Sequence, residues 1–379
     1  MDPAIGARLA SRACFPLPRA RGEPVGPRER RFSARRAFET FGARVGALWG
    51  IFVLLAGLVA ACSGPSASPD NARTQVCVAT DADGLAAHTF NQLAIDGARS
   101  ADAQVQVVAS HAASDYLSSL QRCAAAHPDL VIAISPDMAT AVWRAAQLHP
   151  TQKFALVDAA PIDDNGQTVD LGNVSDLLFN QQEPAYLVGA LAGLMEKEKV
   201  GNASHNVLGI LGANHGPAVD PYIAGFIAGA RSVDPGVIVK ITYSDSQDPA
   251  FCKQLGITQI SAGADIVFEV TGRCASGYID AAYDASAYAV GSNNDEAFVS
   301  PAVITSALKR VDHVVALTIQ RLQGGQFRAG QQIFSLQDDA TGFSMPSSIV
   351  PQDVINQVLD IRIKIRNGAI TPPDTIPPG

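Results

Sequence analysis

The 379-residue chain carries 28 Lys and Arg against 36 Asp and Glu, a formal net charge of −8, with 47% hydrophobic and 17% charged residues. A composition this apolar excludes a disordered chain. The charge is unevenly placed: residues 1–44 hold 10 Arg and 4 acidic residues, 45–61 hold none, and the remainder holds 18 basic against 32 acidic. An acidic body repels phosphate backbones, so no nucleic-acid partner is expected.

In chain order, the Arg-rich segment is followed by the uncharged apolar run VGALWGIFVLLAGLVAA (45–61) and then Cys62 and SGPSASPDN. That order is the layout of a signal peptide. Ala60 and Ala61 before Cys62 resemble a lipobox, which makes Cys62 the lipidation site and residues 62–73 the lipidated start and flexible tether. The alternative is a permanent anchor helix, at the lower edge of spanning length. The positive segment is long enough to suggest a misassigned start, and Arg35-Arg36-Ala37-Phe38 loosely resembles a twin-arginine export signal. The expected location is therefore exported and membrane-anchored, in the periplasm or at the cell surface.

The body alternates apolar, β-branched runs with amphipathic segments. The runs are QVCVAT (75–80), VQVVAS (105–110), LVIAIS (130–135), FALVDA (154–159), VLGILG (207–212), VIVKITYSD (237–245), IVFEVT (266–271) and YAVGSN (288–293). Continuous rather than alternating hydrophobicity indicates parallel strands covered on both faces. Helical patterning covers 89–100, 114–126, 218–232, 249–262 and 301–322, with a further helical stretch at 185–197 between the two sets of runs. The expected class is α/β, with two doubly wound parallel-sheet lobes and a ligand cleft between them. The division reads as 74–184 plus about 294–322 for the first lobe, and 185–293 plus about 323–373 for the second.

Ligands of such sheets bind beyond the carboxyl ends of the strands. Asp81, Ser135, Asp137, Asp158, Thr271, Gly272 and Asn293 to Asp295 fall there, a set rich in hydrogen-bonding groups, although polar residues after strands are common in any α/β protein. Four cysteines lie in the body, and export places them in an oxidising compartment. They read either as buried small hydrophobes or as one disulfide per lobe, Cys77–Cys123 and Cys252–Cys274, and three pairings are open.

The segment TDADGLAAHTFNQLAIDG (80–97) resembles the opening TD-x-GG-x-x-D-x-SFNQ motif of the basic membrane protein family, lipoproteins that serve as substrate-binding components of ABC importers. Residues 179–189 resemble its F-x-x-EE-x-x-YLAG helix, and 207–229 its VGFVGG…P…F…G-F…G unit. GSNNDE (291–296) is similar to GVDSDQ, TSALKRVD (305–312) to TSMVKNVD, and IRIKIRNGAITPP (361–373) to the closing I-x-x-G-x-I-x-VP. The resemblance implies a type 1 periplasmic binding protein fold that closes on a small molecule and meets an ABC permease, with a nucleoside as the ligand.

By that resemblance Phe90 and Tyr222 are the two aromatic residues that stack a nucleobase, Asp295 and Lys309 bind the ribose, and Asn91 reads a base edge. Packing in the core, a surface ion pair and a helix-capping interaction are their structural alternatives. Asp81 and Asp158 are further strand-end carboxylates, and Gly272 allows close approach of ligand to backbone. Three departures bear on ligand identity: Ala87 and His88 replace Asp and Lys, Arg273 enters a glycine-rich loop, and Asn293 replaces an Asp.

Other functions fit less well. Gly209–Gly216 has GxxGxxxG rather than dinucleotide-loop spacing, no GxSxG, HExxH or Walker motif occurs, and seven His lie without metal-ligand spacing. No catalytic residue, metal or cofactor is expected. A sensory lipoprotein reporting to a membrane receptor is the closest alternative, an exported enzyme a more distant one, and a DNA-binding regulator has an export signal where its helix-turn-helix belongs. A monomer is expected.

Overall fold

The computed structural model describes residues 73–85 and 89–377. Cys62 with its neighbours, and Ala87 and His88, lie outside the described residues. The chain first lays down β1 (Gln75–Ala79), α1 (Phe90–Ser100), β2 (Gln104–Val108), α2 (Tyr116–Ala125), β3 (Leu130–Ile134), α3 (Ala139–Leu148), β4 (Phe154–Val157) and β5 (Val174–Phe179). It continues through α4 (Gln182–Glu198), β6 (Val207–Gly212), α5 (Asp220–Val233), β7 (Ile238–Tyr243), α6 (Pro249–Ser261), β8 (Ile266–Val270), α7 (Ala275–Asp284), β9 (Tyr288–Asn293) and β10 (Val303–Lys309). It closes with α8 (Val311–Gln323), β11 (Gly330–Phe334), β12 (Thr341–Phe343) and α9 (Gln352–Arg366).

Two six-stranded sheets result, in the orders β11-β5-β4-β3-β1-β2 and β12-β10-β9-β8-β6-β7. All pairings are parallel except β10 with β12. Each sheet is covered by helices on both faces, which is why its strands read as continuous apolar runs: Leu130 to Ile134 and Ile266 to Val270 are buried throughout. Among the described residues no helix is long and apolar enough to cross a membrane.

The lobe division differs from the sequence expectation. The segment 301–322 was expected to be one helix in the first lobe; instead 303–309 is β10 of the second sheet, and only 311–323 is helix, packed on α1. VITSALK is apolar and β-branched at its start, and it fills the gap between β9 and β12, so pairing outweighs its helical spacing. Conversely β11 returns to the first sheet beside β5. The chain therefore crosses between lobes three times, at 180–181, at 310 and at 335–340.

The first crossing is fixed by Glu183. Its carboxylate accepts Asn180 Nδ2 at 3.2 Å and the backbone amide of Leu336 at 2.7 Å, tying the first crossing to the third. The structure decides between bridges and free thiols for the cysteines: Cys77 is joined to Cys123 and Cys252 to Cys274, with Cα separations of 5.5 and 5.7 Å, one bridge in each lobe.

Helices α4 and α5 meet backbone to backbone. A Cβ on Gly189 would collide with the carbonyl of Phe226, one on Gly225 with that of Gln182, and one on Gly229 with that of Tyr186. This contact carries Tyr222 and its helix onto the cleft side of the second lobe. Gly229→Ala is expected to lower unfolding stability by about 1–3 kcal/mol through overpacking. Gly172→Ala, where nothing lies within 4 Å of the new atom, should leave it nearly unchanged. Urea unfolding of the two variants checks this.

Candidate functional site

The carboxyl ends of both sheets converge on one cleft, and the chain is strained there. Ser135 after β3, Asp158 after β4 and Asn293 at the end of β9 have φ of 80°, 67° and 67°. Asn and Asp enter this region more readily than other non-glycine residues, so the conformation at Ser135 is the least ordinary of the three.

At the centre, Lys309 at the end of β10 points its ammonium at Asp158 of the other lobe. Its Nζ donates to both carboxylate oxygens, at 2.8 and 2.7 Å. The side chains are 2% and 12% exposed, so this is a buried ion pair joining the lobes. The aromatic rings of Tyr222 and Phe179 lie 5.1 and 5.9 Å from the same ammonium and add a favourable cation–π environment. The arrangement offers an acceptor and a donor side by side, the pair of functions that vicinal hydroxyls satisfy.

Tyr222 is fully buried, donates through its hydroxyl to Asn293 Oδ1 at 3.1 Å, and meets Phe268 edge-on at 6.3 Å. Burial holds its phenol well above the ordinary tyrosine range, so it acts as a neutral donor. With Lys309 over its ring, it braces the pair. Phe90 opens α1, where Thr89 caps the helix by accepting the Gln92 amide at 3.3 Å, and its half-buried ring packs on the first-lobe core.

Asn91 is turned inward and is 1% exposed. Its amide nitrogen donates to Asp81 Oδ1 at 2.7 Å and to the Gly84 carbonyl at 2.8 Å, and its Oδ1 accepts the Asp81 amide at 3.2 Å. Both of its amide hydrogens fix the loop after β1. Asp81 is buried within the same knot and also accepts the Asp83 amide at 3.0 Å.

Asp295 is exposed and accepts the Ala297 amide at 3.1 Å. It and Lys309 line one concavity of about 360 Å³ with Leu93, Leu308, Arg310 and Phe343, but the ammonium belongs to Asp158. The surface ion pair of Asp295 with Lys309, the structural alternative for these residues, is absent among the described residues. Gly272 is open on one side: a Cβ there would meet only Gln247 Oε1, at 3.3 Å. Arg273, beside it, reaches across the cleft mouth to Asp83 at 3.9 Å, both side chains being exposed. Burial and the neighbouring Asp81 raise the Asp83 carboxyl above its usual range, and Arg273 opposes that shift. Among the described residues no group of three or more His, Cys, Asp or Glu is placed to hold a metal ion.

Residues 74–375 match the family model described as ABC transporter substrate-binding protein PnrA-like. The chain belongs to this family. A protein of Listeria monocytogenes named CD4+ T-cell-stimulating antigen is 27% identical over 79% of this chain and 88% of its own length. One of Lactococcus lactis, named ABC transporter nucleoside-binding protein BmpA, is 23% identical over 87% and 99%. Basic membrane protein A of Borreliella burgdorferi is 26% identical over 75% and 84%. Among solved structures, a solute-binding protein of an ABC transporter system from Aeropyrum pernix K1 superposes with a TM-score of 0.65 at 23% identity, covering 79% of this chain and 93% of that one. The fold is therefore that of type 1 periplasmic binding proteins, and the family is one of substrate-binding proteins rather than enzymes.

Sequence reasoning passed over Phe179, Glu269 and Glu296. Phe179 ends a strand that was not read as one. A Glu inside the apolar run IVFEVT was a usable signal, because burying a carboxyl in an interior strand is costly and marks a special environment.

Removing one member of the central pair leaves the other charge buried and unpaired. Asp158→Asn, which tolerates the left-handed backbone, and Lys309→Met are each expected to cost about 3–5 kcal/mol. The double variant should lose clearly less than the sum. Urea unfolding of the three proteins checks this; strict additivity would remove the pair from the account.

Proposed function

We propose that this chain is the exported, membrane-anchored substrate-binding lipoprotein of an ABC importer, and that it holds a nucleoside-like small molecule between its lobes. The observation that carries the reading is the buried Lys309–Asp158 pair, a charged donor and acceptor at the base of the cleft. A ribose diol donates to Asp158 and accepts from Lys309, replacing one direct contact by two charge-assisted ones. The Ser135 hydroxyl, buried at a strand end with no hydrogen-bond partner among the described residues, adds a group that a polar ligand satisfies. Asp81, Phe90, Gly272 and Asp295 complete the cleft walls in this reading. The nucleoside-binding name of the Lactococcus lactis relative supports the ligand class.

Binding involves no bond chemistry. Open lobes take the ligand, the ion pair and crossings pull them together, and the closed form presents it to a membrane permease. Lipidation at Cys62, a monomeric state and the absence of a nucleic-acid partner belong to the same proposal. A thermal-shift panel of adenosine, inosine, guanosine, cytidine, ribose and glutamate, on protein refolded to strip carried-over ligand, tests it. A nucleoside at about 100 times its Kd should stabilise by about 2.7 kcal/mol. That increment should vanish in Lys309→Met. Stabilisation by another class of compound and by no nucleoside would contradict the reading.

A further inference from the structure

On the face of the second sheet that packs on α6 and α7, two glutamates meet. Glu269 stands in the middle of β8 and is 1% exposed. Beside it in β9 is Gly291, whose missing side chain leaves a slot; a Cβ there would collide with Glu296 Oε2 and with Ser306 Oγ. The carboxyl of Glu296 fills that slot, and it and the Glu269 carboxyl converge on a single donor, the Ser292 amide. The pair then grips the cleft wall from behind. Glu269 Oε2 accepts the Thr271 amide at 3.0 Å and its hydroxyl at 3.2 Å, while Oε1 accepts the Ser292 amide at 2.8 Å. Glu296 Oε2 also accepts the Ser292 amide, at 3.3 Å, and its own backbone amide donates to Ser306 Oγ at 3.0 Å. Thr271 is followed by Gly272, and Ser292 by Asn293, the residue that receives the Tyr222 hydroxyl.

Two carboxyl groups brought onto one amide in a buried site favour a proton between them, since two anions there repel strongly. We infer that Glu269 and Glu296 share one proton as positioning residues, and that the second-lobe wall of the cleft keeps its shape only while Glu296 retains it, so that binding weakens as the pair is deprotonated. The binding half of this inference rests on the ligand reading above; the proton-sharing half does not.

The surroundings favour the shared proton. Burial, and then the charge of Glu269, hold the Glu296 carboxyl well above the ordinary carboxylate range, and Asp295 pushes the same way. The other titratable groups facing the pair are the phenols of Tyr222 on α5 and Tyr278 on α7, both kept neutral by burial. Lys309, 5.1 Å from the centre of the Tyr222 ring, gives its ammonium to Asp158, and Arg273 at the start of α7 is exposed and turned towards Asp83. Because the folded-state affinity of Glu296 for its proton is raised, the stabilisation is complete at acid pH and is lost as pH rises through the raised range. Ionised Glu296 is driven out of the Gly291 slot, and Ser292, Asn293 and Asp295 move with it.

The test follows the backbone amide resonances of Thr271 and Ser292 in ligand-free protein from about pH 5 to about pH 9, a span bracketing ordinary and raised carboxyl groups. Both amides should shift with one common midpoint above the ordinary glutamate range. Glu296→Gln, which donates to Glu269 without titrating, should abolish that transition, and Glu269→Gln should move it down towards the ordinary range. If Glu296→Gln does not fold, the Glu269→Gln shift carries the comparison. Adenosine affinity of the wild type should fall by about tenfold across the same midpoint, within the usual range for coupling between two sites. In Glu296→Gln it should not vary with pH. Amides that do not titrate, or that titrate unchanged in both variants, overturn the shared proton, and a pH-independent adenosine affinity alongside titrating amides overturns the positioning role. Should adenosine bind at no pH while the amides titrate together, the shared proton stands and the nucleoside reading falls.

Discussion

An ammonium and a carboxylate taken out of water from opposite sides of a cleft constrain the whole structure. Lys309 ends β10 in one sheet and Asp158 follows β4 in the other, so neither can be buried unless the lobes come together. Desolvating either ion alone costs several kcal/mol, and only the partner or a polar ligand offsets that cost. Closure and pairing are therefore one event. Three crossings at the same edge of the sheets, braced by Glu183 through the Leu336 amide, limit the motion to opening and closing about that edge.

The strand ends around the pair are shaped for polar contact rather than for packing. Ser135, Asp158 and Asn293 hold left-handed backbone, and the glutamate pair behind β8 and β9 fixes the strand end that carries Asn293 together with the loop after β8. Each device spends some folding stability on local geometry. The compensation lies elsewhere: apolar clusters on both faces of each sheet, one disulfide per lobe, and the backbone contact of α4 with α5.

Much of this was legible in the residues, and what was not has physical causes. Six interior strands, β1, β3, β4, β6, β8 and β9, announced themselves because burial on both faces demands unbroken apolar runs, and the half-exposed edge strands β2 and β7 did so through their β-branched residues. Strand β5 did not, since Ser175 and Asp176 interrupt its run; Asp176 is buried with no hydrogen-bond partner among the described residues, and burial pushes its carboxyl up to about 7. The edge strands β11 and β12 are polar or very short, and β10 carries a helix-like spacing that pairing with two neighbours overrides. In the site, Asp158 and Lys309 were each recognisable as cleft residues, but their contact spans 151 residues and only the fold brings it about. The chemistry of Asn91 and Tyr222 was evident, while the direction in which each side chain points was not: Asn91 donates into the loop after β1, and Tyr222 meets Asn293 and Lys309.

A crystal structure of the refolded protein grown with adenosine tests the central claim most directly. The account predicts sugar hydroxyls within hydrogen-bond distance of both Lys309 Nζ and an Asp158 oxygen, with the base between walls from the two lobes. A nucleoside bound elsewhere, with the direct Lys309–Asp158 contact intact and the cleft empty, would contradict it.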